Sequence, residues 1–194
     1  MKSIQQRLDA ILPKITSPEF RESKGMGNEV GYHIFDYDPV DEMIVQDHIK
    51  YMREFVDNHK SHITIREFDL YELTIEILKQ KGYLQKNLDM EKKKGSNFVL
   101  NATQKTLRLT LTNDLIIEYI SNQVQPNDIV FLTGVGKVFP IIRSHTILNN
   151  IHKAVDQLPI VMFFPGQYDG QTLILFNELK DDNYYRAFPL VEYR

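Results

Sequence analysis

The chain has no cysteine, no marked excess of charge of either sign, and no apolar run long enough to span a bilayer. Each absence excludes something. Without cysteine there are no disulfides, no zinc-thiolate sites and no thiol nucleophile, which fits a reducing compartment and makes a cytoplasmic location the expectation. Twenty-three basic residues stand against 26 acidic ones, giving a formal net charge of −3 and no global electrostatic drive toward nucleic acid. A spanning helix needs roughly 20 apolar residues. The N-terminal MKSIQQRLDAILPKI instead has the period of an amphipathic helix, without the apolar stretch of a secretory leader. No low-complexity tract, internal repeat or long linker divides the sequence. What is present is 194 residues at 42% hydrophobic content, enough for one sizeable core, so a single domain over 1–194 is expected.

Apolar periodicity sets the order of elements. Ile4, Leu8, Ile11, Leu12 and Ile15 share one helical face, closed by Pro18 and the Gly25-Met26-Gly27 turn. Tyr32 to Tyr37 reads as a strand of aromatic and β-branched residues. Asp38-Pro39 then starts a helix: an N-cap acceptor, proline at the first position, and Asp41 and Glu42 at the positive end of the dipole. That helix is expected to reach about Val56, with Met43, Ile44, Ile49, Met52, Phe55 and Val56 inward. His62 to Phe68 alternates like a strand, and Asp69 can cap a helix that carries Leu73, Ile77 and Leu78 and stops at Gly82.

The segment 84–112 is the least legible and is expected to be mobile or insertion-like. Its Glu91-Lys92-Lys93-Lys94-Gly95 run reads as a solvated helix end. Asn113 opens a helix through Ile116, Ile117 and Ile120 that ends near Pro126. Ile129 to Thr133 and Ile160 to Phe164 are strands without polar alternation, as strands covered on both faces are. A helix over Val138–Ile151 separates them. Leu173 to Phe176 adds a short strand, and Tyr184 to Val191 an edge strand, where Pro189 is tolerated. Strand–helix–strand alternation predicts an α/β fold. The expectation is one three-layer domain, a mostly parallel sheet with helices on both faces, Rossmann-like or degenerate P-loop-like.

In such sheets ligands gather outside the carboxyl ends of the strands. Gly134-Val135-Gly136-Lys137 follows a strand and precedes a helix, so its backbone N–H groups and lysine could hold an anion. Yet Phe131 stands where a P-loop needs its first glycine, Val138 where it needs Ser or Thr, and Phe139 where the dinucleotide fingerprint needs its third glycine. A tight strand-to-helix turn, where side chains would clash, is the favoured reading of the glycines, with the anion site kept as the alternative. Arg143, Ser144, His145 and Thr146 are placed one to two turns into the following helix. Adjacent helical residues point about 100° apart, so Ser144 and His145 cannot serve as nucleophile and base. No G-x-S-x-G elbow exists.

Pro165 to Gln171 reads as a loop that presents Tyr168 and Asp169, with Asp169-Gly170 favouring a positive φ. Asp181, Asp182, Asn183, Tyr184, Tyr185 and Arg186 pack acids, tyrosines and an arginine into one string, a composition that suits a partner surface. Asp169 is the only helper near Asp181 and Asp182, so no metal ion is expected there. The histidines show no ligand spacing, and His48 with Met52 reads as core-edge packing. Asp36 remains a candidate because α/β enzymes keep acids at strand ends, whereas Asp38 is accounted for as a cap.

Several strings together resemble one family: Gly25-Met26-Gly27-Asn28-Glu29, Ile34-Phe35-Asp36-Tyr37, Glu91 to Gly95, LTGVGKVFPIIRSHTILNN (132–150), FFPGQYDGQTL (163–173) and LKDDNYYRAF (179–188). The chain is similar along nearly its whole length to the BrxB family, small core components of BREX (bacteriophage exclusion) systems. The resemblance implies antiviral defence, in which host DNA is marked by methylation and phage DNA replication is blocked. It implies company: a DNA methyltransferase, a large ATPase and PglZ, an alkaline-phosphatase-like protein. It supplies no catalytic residues and no cofactor. The expectation is a non-catalytic adaptor that binds other BREX proteins, PglZ foremost, and meets DNA only within the assembly. The partner-binding candidates are Arg143, His145, Tyr168, Asp169, Asp181, Asp182, Tyr184, Tyr185 and Arg186. The alternative is a nucleotide- or nucleic-acid-binding protein with Gly134, Gly136 and Lys137 as its anion site.

Overall fold

A computed structural model of the chain describes residues 2–22, 31–59, 62–151, 155, 158–180 and 187–192. It has an α/β architecture built on a mostly parallel seven-stranded sheet. The chain divides into two compact units, 1–67 with 124–133 and 157–194, and 68–123 with 134–156. The first holds nearly all of the sheet; the second is built of helices.

In the first unit the N-terminal apolar stripe folds as three short helices, α1 (Ile4–Asp9), α2 (Ile11–Thr16) and α3 (Pro18–Glu22). Ser3 caps α1 through a capping box with Gln6. Strand β1 (Tyr32–Tyr37) follows, then a 3-10 turn over Pro39–Asp41 whose Val40 N–H is accepted by Asp38, and then α4 (Glu42–Asn58). β2 (Thr64–Asp69) follows, its last two residues counted with the second unit. β3 (Asp128–Thr133), β4 (Ile160–Tyr168), β5 (Leu173–Leu175), β6 (Leu179–Lys180) and β7 (Phe188–Pro189) complete the sheet. The order is β2-β3-β4-β1-β7, with β5 paired to β4 and β6 to β5. β1 runs parallel to β4 and to β7, and β3 parallel to β4. β4–β5 and β5–β6 are antiparallel. Pro189 sits in the edge strand, where the missing N–H costs no ladder bond.

Alternation places Phe35 and Tyr37, Ile129 and Phe131, and Val161 and Phe163 on one face of the sheet. There they pack with Leu8, Ile11, Ile15, Val45, Ile49, Met52 and Val56. Phe163 stands at the centre, its ring 5.7 Å from Phe35 and 4.9 Å from Phe131, both tilted. Each such pair adds about 1 kcal/mol beyond its area burial. Residues of the opposite parity, Ile34, Val130, Leu132, Ile160, Met162 and Phe164, are equally buried, which explains the absence of polar alternation. Met43 and Ile44, expected inward, are exposed instead; the core row of α4 is Val45, Ile49, Met52 and Val56.

The second unit carries α5 (Leu70–Gln80), capped by Asp69 through the amides of Tyr71 and Glu72 and closed at Gly82 with φ 69°. The 84–112 segment is helical: α6 (Leu84–Lys94) and α7 (Ser96–Leu107) meet at Gly95, whose φ is 80°. Lys92, Lys93 and Lys94 fill the last turn of α6, as the dipole favours. Asn87 and Thr103 tie the pair by a buried hydrogen bond of 3.0 Å. α8 (Leu115–Gln123) is capped by Asp114, which accepts from Ile116 and Ile117; the expected opener, Asn113, lies one residue earlier. One helix was expected over Val138–Ile151. The chain makes two, α9 (Val135–Val138) and α10 (Ser144–Ile151), separated by a cis Phe139-Pro140 bond.

Candidate functional site

The carboxyl ends of β1 and β4 close around one buried ion pair. Asp36, the next-to-last residue of β1, accepts from Arg7 Nη2 on Oδ1 and from the Tyr168 amide on Oδ2, both at 2.9 Å. Arg7 arrives from α1 with its guanidinium 4.7 Å above the Phe35 ring. Both side chains are almost wholly shielded, 3% and 5% exposed, so each charge depends on the other to offset its desolvation. The acid that stood as a functional candidate therefore anchors α1 and the end of β4 to β1.

Beyond Asp36 the chain departs from the expected loop. β4 continues through Pro165 and Gly166 to Tyr168, leaving its parallel neighbour and pairing antiparallel with β5. Gly166 permits this: a Cβ there would stand 2.1 Å from the Ile174 carbonyl oxygen. The turn begins only at Asp169. Its Oδ1 accepts from the amides of Gln171 and Thr172 at 2.8 and 2.7 Å, and these bonds hold its carboxyl below the ordinary range. Gly170 has the anticipated positive φ, 92°. Asp169 is exposed. Tyr168 is not presented to solvent: its side chain is buried and its hydroxyl donates to the Ala187 carbonyl at 2.8 Å.

A cavity of about 540 Å³ opens beside this knot, with Lys2, Arg7, Asp38, Asp41, Asp169 and Asn177 among its lining. Asp38, Asp41 and Asp169 outnumber Lys2, because Arg7 and Asp36 offset each other. The rim is therefore acidic. Two of these carboxylates also bond their own backbone, at the Val40 amide and in the Asp169 turn. Among the described residues no group of three or more His, Asp or Glu is placed to hold a metal ion. Nearby, burial and the Glu42 carboxylate, 2.6 Å away, raise the Tyr37 hydroxyl far above its ordinary range and keep it a hydrogen-bond donor.

β5 and β6 form a hairpin closed by Leu175, Phe176, Asn177 and Glu178. Phe176 and Asn177 both adopt left-handed backbone, φ 56° and 62°, and the Glu178 amide donates to the Leu175 carbonyl at 3.1 Å. Three residues, 176–178, lie between the paired Leu175 and Leu179, and successive positive φ values in such a loop are what glycine, asparagine and aspartate favour. Phenylalanine in the first position is strained, and it is 38% exposed. Leu179 and Phe188 are exposed too. Asp181, Asp182, Tyr184, Tyr185 and Arg186 lie outside the described residues, as do Gly25 to Glu29.

The other glycine turn belongs to the second unit. Gly134 takes φ 70° before α9, and the Asp69 carboxylate lies so close that a Cβ on Gly134 would stand 2.2 Å from its Oδ1. Asp69 Oδ2 forms an ion pair with Lys137. A carboxylate of the chain itself thus stands beside the lysine, and an anion at this turn would have to displace it. Arg143 is exposed, but it precedes α10 instead of lying within a helix, and His145 is half-buried in the first turn of α10. Gln104 holds this connection by donating to the Ile141 carbonyl at 3.0 Å. Sequence reading missed Arg7 as a site residue; the available signal was a cation next to Leu8 on an apolar helical face.

Comparison with known proteins agrees on one family. A family model described as BREX protein BrxB matches residues 66–190. Over 192 residues the chain is 69% identical to a protein named BREX protein BrxB from Bacillus cereus (strain H3081.97), covering 99% of this chain and 100% of that one. It is 31% identical over 191 residues to another of the same name from Escherichia coli O9:H4 (strain HS), covering 97% of this chain and 92% of that one. No solved structure gives a significant match.

Proposed function

The chain belongs to the BrxB family of BREX proteins, and from that premise we propose that it is a non-catalytic adaptor that holds other BREX proteins together, PglZ first among them. The observation that supports this reading is Phe176. A left-handed backbone costs a bulky L-residue about 1–2 kcal/mol relative to glycine, and here the strained side chain is exposed at a hairpin tip. A strained backbone that holds a partly exposed ring in a hairpin loop fits a group held ready for contact outside the molecule. The hairpin leads directly into the 181–186 string, whose tyrosines, acids and arginine have the composition of an interface centre. The carboxylates at the strand ends serve the fold: Asp36 holds Arg7, Asp69 caps α5, Asp169 closes its turn. Glu67 accepts from Thr133 and Arg53.

The test is co-expression of the tagged full-length chain with PglZ, the methyltransferase and the large ATPase of the same system. Retention of PglZ is expected, and Phe176→Asn should weaken it while leaving the fold intact. A chain that leaves the column alone with all of them present would sink the adaptor reading.

A further inference from the structure

Helix α4 is apolar along two rows. Val45, Ile49, Met52 and Val56 form the core row, none more than 2% exposed. About 100° around the helix, Ile44, His48, Tyr51 and Phe55 form a second row at spacings of four, three and four. Ile44 is 45% and Tyr51 52% exposed. The rings touch in series: His48 to Tyr51 at 5.5 Å between centroids, Tyr51 to Phe55 at 6.0 Å, and Phe55 stacked on His59 at 3.9 Å. At the N-terminal end Val40 is 85% and Met43 67% exposed. A solvated helix face ordinarily carries charges, so this ridge resembles a face awaiting a second helix.

Its borders are acidic. Asp47 and Glu54, seven residues apart, run along the outward side. Asp9 of α1 faces His48 on the other side, close enough to bear on its protonation. The basic residues of α4 are elsewhere: Arg53 lies about half a turn away with its guanidinium on Glu67 at 2.6 Å, and Lys50 stands beyond Asp47 and Glu54.

We propose that the Ile44–His48–Tyr51–Phe55 row is the docking surface for an amphipathic helix of another BREX protein, one whose apolar stripe is edged by lysine and arginine. The row is about 16 Å long, roughly three helical turns, which suits a helix anchored at i, i+3 or i+4, and i+7. Charge decides between occupants. A second copy in a symmetric pair would bring Asp47 and Glu54 against their own counterparts, and like charges set facing one another repel. An anionic membrane surface would repel the same borders. A basic-edged helix meets both the ridge and its rim, and Tyr51 has the character of an interface anchor. This inference rests on the adaptor reading and names the kind of segment it engages.

The full-length chain carrying the photoreactive residue p-benzoylphenylalanine in place of Tyr51 is co-expressed with the other BREX proteins, irradiated, and the adduct mapped by mass spectrometry. The expected adduct lies in another BREX protein, on a segment with helical apolar spacing and flanking Lys or Arg. Separately, Asp47→Lys/Glu54→Lys should weaken retention of that protein by roughly tenfold in about 0.1 M salt, the gap closing as salt rises. Tyr51→Asp should weaken it at every salt concentration. All these positions are exposed, and unchanged circular dichroism and melting of the variants confirm that the fold is intact. An adduct to a second copy or to an acidic segment overturns the proposal. So does a complex that assembles with no adduct and tolerates both variants; that result leaves the adaptor reading standing. A wild-type chain that retains no BREX protein removes both.

Discussion

The Asp69 carboxylate occupies the space that any side chain on Gly134 would need. That relationship explains the glycine without a ligand. Asp69 must be there because it caps α5, and its carboxylate leaves Gly134 no room for a side chain. Gly134→Ala should lose about 2–3 kcal/mol of unfolding free energy, from its left-handed backbone and the collision with Asp69. Lys137→Ala should lose about 1 kcal/mol or less, since that lysine is 40% exposed and its pair is screened by solvent. In Asp69→Ala/Gly134→Ala the collision is gone, so the double loss should fall short of the sum of the singles. Urea unfolding of the four proteins measures this directly; strict additivity would show that the two residues do not meet.

The Arg7–Asp36 pair should be the most sensitive polar contact in the first unit. Asp36→Ala removes the carboxylate that faces the shielded guanidinium and accepts from the Tyr168 amide, so a loss of about 3–5 kcal/mol is expected. Arg7→Met/Asp36→Leu should recover part of it, because two uncharged side chains leave no buried charge, although the Tyr168 amide still loses its Asp36 acceptor. Chemical denaturation decides the matter: a double variant no better than Asp36→Ala would mean that the charge pair contributes more than mutual neutralisation.

How much of this was legible beforehand depends on sequence distance. Strand β1, the Asp38 and Asp69 caps and the stop at Gly82 are written within a few residues, so local pattern was enough. Arg7 and Asp36 lie 29 residues apart, and Gly166 meets Ile174 only because β4 outruns its parallel partner; neither leaves a local trace. Met43 and Ile44 were expected inward because periodicity finds apolar rows without saying which one faces the core. On α4 there are two: Ile44 belongs to the second, partly exposed row, and Met43 lies outside both. The split of α9 from α10 was hidden by a continuous apolar pattern across Phe139-Pro140.

His33 predicts part of the acid sensitivity. Burial lowers its pKa from 6.5 to about 4, so the folded protein keeps it neutral between Phe20 and Phe188. The unfolded chain binds that proton first. Its contribution to stability is therefore complete above about pH 6.5 and is lost progressively as the pH falls toward about 4. His48 is shifted in the same direction, also by burial. His33→Phe should flatten, without abolishing, the decline of unfolding free energy across that window. An unaltered slope in the variant would place the effect elsewhere.

Phe176 separates contact from stability. Asparagine accepts left-handed backbone more readily than phenylalanine, so Phe176→Asn should leave stability unchanged or raise it by up to about 1 kcal/mol. Glycine would relieve the same strain but also loosen the unfolded chain, and its gain should be smaller. Both changes remove an exposed ring, so both should weaken partner retention even though the folded chain is no less stable. That opposition is informative because most substitutions that impair binding also impair folding. Thermal unfolding and co-purification must be read on the same preparations. Substitutions that lower stability by 1 kcal/mol or more would mean that the ring packs against its own chain, and the hairpin tip would then lose its place in the adaptor reading.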